Sequence, residues 1–176
     1  MDATNGKDNP LVLVALCGGG WHPETYKVLE RFPPDEFRFA YVYGHHSGAH
    51  GASRLPMPHP GPRYPIHYLG PTRKRPIRFF TDTARFMLSF VEAYRLVSRL
   101  QPHAILALGT STAIPLFFAA KCLRIPSIFI ESLTRVERMS VTGRILYRLG
   151  LADRLYVQWP GLQRSFKGTT FAGAVL

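Results

Sequence analysis

The chain has 176 residues, of which 46% are hydrophobic, enough for one domain with a real core and too apolar for a disordered chain. Its 22 Lys and Arg outnumber 11 Asp and Glu, a formal charge of +11 that is silent about fold but points to an anionic partner: nucleic acid, an anionic membrane surface or a phosphorylated substrate. The two cysteines, Cys17 and Cys122, form no CxxC pair. That excludes a disulfide framework, and both read as reduced core residues of a cytoplasmic protein.

Residues 1–10 are polar and read as a disordered tail, with a single domain over 11–176. The apolar run 11–17 is too short for a signal peptide core or a bilayer span, so no transmembrane helix is expected. Residues 11–16, followed at once by Gly18, Gly19 and Gly20, predict a buried parallel strand ending in a tight loop. Helical character over 24–31 stops at Pro33 and Pro34, and 37–43 is rich in aromatic and β-branched residues, a second strand. The stretch 44–63 is rich in Gly, Pro, Ser and His and reads as a loop. Its His45, His46, His50 and His59 match no strong ligand spacing, and no metal site is expected. A short strand over 65–69 follows.

Segment 71–78, PTRKRPIR, carries Arg73, Lys74, Arg75 and Arg78. Residues 77–100 predict one long amphipathic helix, with Arg78, Asp82, Arg85, Ser89, Glu92 and Arg99 along one polar stripe. The remaining surface, including Phe79, Phe80, Phe86 and Phe90, is apolar and wider than packing on one sheet needs. Pro102 ends the helix. Then come a buried strand over 104–108, a helix over 112–123, a strand over 127–130 ending at Glu131, a helix over 140–149, a strand over 154–157 and a last apolar strand over 171–176. This alternation predicts an α/β fold: a Rossmann-like open parallel sheet with helices on both faces. Ligands of such sheets bind at the carboxyl ends of the strands. The loops 18–24, 109–112 and 131–135 should therefore surround one crevice.

Three segments carry chemistry. CGGGWHPE lets the backbone approach a phosphate at a helix start and places His22 as a general base, although a plain tight turn reads the same way. LGTSTAIP offers Gly109, Thr110, Ser111 and Thr112 to an oxygen-rich ligand, or simply caps a helix. IESLTRVERMSVTGRILY follows a strand-end Glu131 with Arg135, Arg138, Ser140, Thr142 and Arg144, a set suited to a diphosphate or to a salt-bridge network. Gln158, Trp159 and Pro160 sit at a strand end, where a Trp is usually an anchor.

The run IESLTRVERMSVTGRILYRLGLADRLYVQWPGL, with FAGAVL after it and PHAILALGTSTAIPLFFAAKCLRIPSIFI before it, resembles the PssD-type exopolysaccharide glycosyltransferase family. It is also similar to that family's eukaryotic relative, the membrane-recruiting subunit of the dolichol-linked N-acetylglucosamine transferase. The resemblance covers most of 11–176 and is strongest from Pro102 onward. It implies the N-terminal, acceptor-binding half of a two-lobed (GT-B) glycosyltransferase such as MurG, with the donor-binding half on a separate partner chain. The implied reaction moves a sugar from a UDP-sugar, held mainly by that partner, to a polyprenyl-diphosphate-linked saccharide, with inversion and without an essential metal or other cofactor. The resemblance assigns His22 and Glu131 to catalysis. It assigns Gly18, Gly19, Gly20, Gly109, Thr110, Ser111, Thr112, Arg135, Ser140 and Thr142, with Ser132 and Gly143 in the same motif, to the acceptor diphosphate. Gln158, Trp159 and Pro160 go to the partner interface. Relatives have His directly after two glycines, whereas Trp21 intervenes here, and the second loop keeps one glycine where relatives often have two.

A membrane role falls to Arg73, Lys74, Arg75, Arg78, Phe79, Phe80, Phe86 and Phe90, which would dock on the anionic cytoplasmic face of the cell membrane. Packing of that face in the core or against the partner is the alternative. Two rival functions stand beside the transferase subunit. One is a scaffold that only recruits the donor subunit, and the other is a basic nucleic-acid-binding module. No nucleic-acid motif is present, and no nucleic-acid partner is expected.

Overall fold

A computed structural model describes residues 9–16, 22–45, 56–67 and 78–175. Seven strands form one sheet: β1 Leu11–Leu16, β2 Arg38–His45, β3 Arg63–His67, β4 Ala104–Leu108, β5 Ser127–Ile130, β6 Arg154–Val157 and β7 Thr170–Phe171. The spatial order is β3-β2-β1-β4-β5-β6-β7 and every pair is parallel. The Rossmann-like sheet read from the sequence is therefore the fold. Between β1 and β4 the order reverses, and the carboxyl ends of the strands gather there, where open α/β sheets hold their ligands.

The helices are α1 His22–Leu29, α2 Arg78–Leu100, α3 Ala113–Leu123, α4 Val141–Arg148 and α5 Pro160–Ser165. β1 and β4 are central and carry apolar residues on both faces, which is why they read as unbroken runs. One face packs Leu13, Ala15, Ile105 and Ala107 against Leu96 and Val97 of α2, Leu116 and Phe117 of α3, Leu146 of α4 and Leu162 of α5. The other packs Val12, Val14, Leu106 and Leu108 against Leu29 of α1 and the half-buried Met57.

Several expectations shift. α1 starts earlier, at His22, and β2 continues to His45, into the expected loop. Within that loop His59 is buried. Its ring stacks on Phe39 with centroids 4.5 Å apart, Nε2–H donates to Leu29 O at 2.9 Å, and Tyr41 Oη donates to the His59 carbonyl at 2.7 Å. His46 and His50 lie outside the described residues. β3 is displaced toward the N-terminus from 65–69 and holds Pro65 at its centre, which an edge strand tolerates. The last strand is confined to Thr170–Phe171. Cys122 is exposed rather than core, because α3 turns Leu116, Phe117, Ala119 and Ala120 inward. Cys17 and the tail 1–8 lie outside the described residues.

The largest correction concerns α2. Its expected polar stripe is divided: Arg99 is exposed, Ser89 and Glu92 are turned to other partners, and the side chains of Arg78, Asp82 and Arg85 lie outside the described residues. Ser89 is 2% exposed, because its hydroxyl donates back to Phe86 O at 2.6 Å and needs no water. Glu92 is drawn to β3, accepting from His67 N at 2.7 Å and from His67 Nδ1 at 2.6 Å. Phe86 and Phe90 are half-buried. They form an edge-on ladder, Phe86 to Phe90 at 5.0 Å and Phe90 to Phe118 of α3 at 5.3 Å, that seals the α2–α3 seam. Among the described side chains of α2, the exposed large apolar residues are Met87, Leu88, Val91 and Tyr94. Among the described residues no helix is long and apolar enough to cross a membrane.

Candidate functional site

Two carboxylates and one amide organise the carboxyl ends of β5 and β6. Glu131 follows β5 and is wholly buried. Its Oε1 accepts from Ser132 N at 3.0 Å, and its Oε2 accepts from Ser140 N and Ser140 Oγ, each at 2.8 Å. Ser140 is the N-cap of α4, and its Oγ in turn accepts from Gly143 N at 2.9 Å. The carboxylate thus sits at the positive end of α4, with donors on both oxygens, the condition under which a buried charge is tolerated. Gly143 has no side chain because none fits: a Cβ there would lie 2.5 Å from Glu131 Oε2. The Ser-x-Thr-Gly order of the sequence therefore encodes a cap, a buried threonine and a gap for a carboxylate.

Glu24, in the first turn of α1, faces the same turn from the other side. Its Oε1 accepts from Ser132 Oγ at 2.9 Å, and its Oε2 accepts from Leu133 N and Gln158 Nε2, both at 3.0 Å. Gln158 is 2% exposed. Its second amide hydrogen reaches Glu131 O at 2.9 Å, and its Oε1 accepts from Val175 N at 2.7 Å. Trp159 Nε1 donates to Leu133 O at 2.6 Å, and Trp159 caps α5 with Pro160 in its first turn. Expected at a partner surface, Gln158 is instead an internal clip, because every polar atom of its amide meets a backbone or carboxylate of this chain. Trp159 is half-buried, and Pro160 alone of the three is exposed.

The second loop joins the site through Gly109 N, which donates to Ile130 O at 3.1 Å. Gly109 has φ 54°, a left-handed conformation that glycine adopts without strain. Thr110 and Thr112 are buried and share a hydroxyl–hydroxyl bond of 2.8 Å at the start of α3. Ser111 Oγ between them is buried without a hydrogen-bond partner, an unmet donor at a helix N-terminus of the kind that an oxyanion satisfies.

The structure thus brings Gly109, Thr110, Ser111, Thr112, Glu131, Ser132, Ser140, Thr142 and Gly143 to one end of the sheet. Arg135 is exposed on the same turn. In this arrangement both Glu131 carboxylate oxygens are taken by this chain's own donors, so its geometry is that of an organiser of α4 rather than the catalytic role that the resemblance implies. His22 begins α1. Gly18, Gly19, Gly20, Arg73, Lys74 and Arg75 lie outside the described residues, as do the side chains of His22, Arg78, Phe79 and Phe80. Glu24 was not singled out from the sequence, since an acid in a first turn is ordinary for any helix.

Behind Gln158 a cavity of about 260 Å³ opens between Val28 and Arg31 of α1, Ile130, Tyr156 and the 172–175 segment. A second, shallower groove of about 340 Å³ runs along β3 beneath Glu92, Arg95 and Arg99. It lies away from the strand ends and holds none of the expected site residues.

Comparisons with known proteins bear on the fold and the family. Among solved structures, MurG of Acinetobacter baumannii aligns over 96% of this chain and 44% of its own, with a TM-score of 0.65 at 16% identity. A UDP-N-acetylglucosamine 2-epimerase from Rickettsia bellii aligns over 95% of this chain and 45% of its own, with a TM-score of 0.62 at 12% identity. At these identities the likeness establishes the fold alone, that of a single lobe of a GT-B protein. Among sequences, the UDP-N-acetylglucosamine transferase subunit ALG14 of Yarrowia lipolytica is 37% identical over 51% of this chain and 43% of its own length. Its rat namesake is 26% identical over 94% of this chain and 76% of its own length. The human one is 31% identical over 65% of this chain and 55% of its own length. The family profile described as oligosaccharide biosynthesis protein Alg14 like matches residues 12–175. By that match the chain belongs to the Alg14-like family of oligosaccharide biosynthesis proteins.

Proposed function

We propose that this chain is the acceptor-binding subunit of a split, inverting glycosyltransferase that acts on a polyprenyl-diphosphate-linked saccharide at the cytoplasmic face of the cell membrane. One observation carries the reading: the family match runs from 12 to 175, and relatives of this chain are named as subunits of a transferase. A complete GT-B site lies between two lobes, the fold here is that of one lobe, and in this reading a partner subunit supplies the donor-binding lobe. That these relatives are subunits of a UDP-N-acetylglucosamine transferase supports a UDP-sugar as the donor. In this reading, which follows the resemblance to PssD-type proteins, the product belongs to exopolysaccharide assembly.

In this reading the acceptor hydroxyl attacks the anomeric carbon as its proton passes to His22, the bond to UDP breaks and UDP leaves. The acceptor diphosphate lies against the α3 N-terminus, where Ser111 Oγ is unmet, within reach of Arg135. No metal is required. The membrane surface is contacted by the 73–75 basic run and the apolar face of α2.

The scaffold reading keeps one observation in its favour: Glu131 is sealed inside the subunit. The deciding experiment is transfer on membranes holding the acceptor, with a panel of UDP-sugars, using this chain, its partner and both. Transfer only by the mixture, abolished by His22→Ala in an intact complex, supports the acceptor-binding subunit. Full transfer by the His22→Ala complex makes the chain a scaffold.

A further inference from the structure

We propose that Glu24 is a positioning residue of the transfer site: its carboxylate clamps the first turn of α1, and with it the backbone that carries His22, against the 131–134 turn and the end of β6. The proposal rests on the transferase reading. Three donors from two distant parts of the chain converge on this one side chain, Ser132 Oγ at 2.9 Å with Leu133 N and Gln158 Nε2 at 3.0 Å. They lie 108, 109 and 134 residues away, so local helix formation does not explain them. α1 itself is short, His22–Leu29, and short helices hold little order of their own. Its registration on the sheet therefore depends on its anchors. Leu29 anchors one end in the core, and Glu24 anchors the end beside His22.

The clamp also connects both halves of the site. Gln158 donates one hydrogen to Glu24 and the other to the Glu131 carbonyl, and the Glu131 carboxylate holds Ser140 at the start of α4. The helix that bears the base and the start of α4 are thereby referred to one frame. A base one ångström out of place loses about a hundredfold in rate without any change in its own chemistry.

A glutamine at 24 can keep every bond. Its carbonyl oxygen takes the place of Oε2 and accepts from Leu133 N and Gln158 Nε2. Its amide takes the place of Oε1 and donates to Ser132 Oγ, whose own proton turns to Thr134 Oγ1, already 3.1 Å away. Glu24→Gln thus removes the charge and preserves the clamp, whereas Glu24→Ala removes the clamp.

The test compares wild type, Glu24→Gln and Glu24→Ala as full chains in complex with the donor-binding partner. Amide hydrogen exchange reads the clamp directly. Glu24→Ala is expected to speed exchange about tenfold or more at 132–134 and 158–159, and Glu24→Gln to match wild type. In the transfer assay, Glu24→Ala is expected to lower kcat per folded complex about 10- to 100-fold while KM for the UDP-sugar stays within about twofold. Glu24→Gln is expected to retain kcat within about threefold. Unchanged exchange in Glu24→Ala overturns the proposal. So does kcat per folded complex equal to wild type, and so does a Glu24→Gln complex as slow as Glu24→Ala, which would make the charge itself the requirement. A wild-type complex that transfers no sugar from any donor refutes the transferase reading instead, and the exchange measurement still decides the clamp.

Discussion

Gly143→Ala separates two effects that oppose each other at one atom. In a solvent-facing helix interior the change stabilises by about 0.5–1 kcal/mol, because alanine loses less backbone entropy. At Gly143 the added methyl would meet Glu131 Oε2 at 2.5 Å and Met139 Cγ at 2.7 Å. Met139 can yield, being unbranched. Oε2 cannot yield without stretching its bonds to Ser140 N and Ser140 Oγ, both 2.8 Å. Losing one charge-assisted bond costs about 1.5–3 kcal/mol, and forcing a methyl into a filled core costs about 1–3 kcal/mol. Net of the helix gain, the variant should lose about 1.5–5.5 kcal/mol. For a chain of this size that lowers Tm by about 3–20 °C. Thermal and urea unfolding followed by circular dichroism measure it. Gly161, in α5 with no atom within 4 Å of its would-be Cβ, provides the internal control. Gly161→Ala should raise stability by about 0.5–1 kcal/mol. A Gly143→Ala protein as stable as wild type, or more stable, would refute the placement of the carboxylate against α4.

Further outcomes follow from other features. Burial pushes the Asp153 carboxyl up, but hydrogen bonds from Ser127 and the Lys121 ammonium outweigh it and hold the group below its ordinary value of 3.8. The associated stability is present above that value and is lost as pH falls through the lowered one, so Asp153→Asn should flatten the acid limb of a Tm–pH curve below pH 3.8. Arg124 ends α3 with φ 56°, a left-handed residue with a Cβ, so Arg124→Gly should stabilise by about 0.5–1 kcal/mol in urea unfolding. Met87→Ser with Val91→Ser removes exposed apolar surface; stability should change by under about 1 kcal/mol, while flotation with anionic vesicles should fall several-fold. Undiminished flotation would show that α2 does not reach the bilayer.

The sheet was legible because a parallel strand buried on both faces leaves an unbroken apolar run, as over 11–16, 104–108 and 127–130. The strand ends, and so the site's location, came with it. What stayed hidden depended on contacts across the fold. Ser89 and Glu92 looked like a solvent stripe because their spacing is helical, and nothing local reveals that one bonds its own helix and the other caps β3. Glu131 was legible as a strand-end acid, but its burial follows from α4 closing over it. Glu24 and Gln158 are each unremarkable alone, and their pairing spans 134 residues. α5 did leave a signal that went unread, Pro160 at the first helical position.

That long-range pairing also bears on how the protein is made. Glu24 leaves the ribosome before any of its three donors exists, and Gln158 follows 134 residues later. β1 likewise waits for β4, since its central neighbour lies across α2. Parallel pairings of this kind are slow to close and leave apolar surface uncovered in the meantime. The segment that completes the site is therefore synthesised long after the helix it clamps. A nascent chain stalled before β6 would hold an α1 without its Gln158 donor and a Glu131 whose carbonyl still lacks its own, leaving it a ready target for chaperones and proteases.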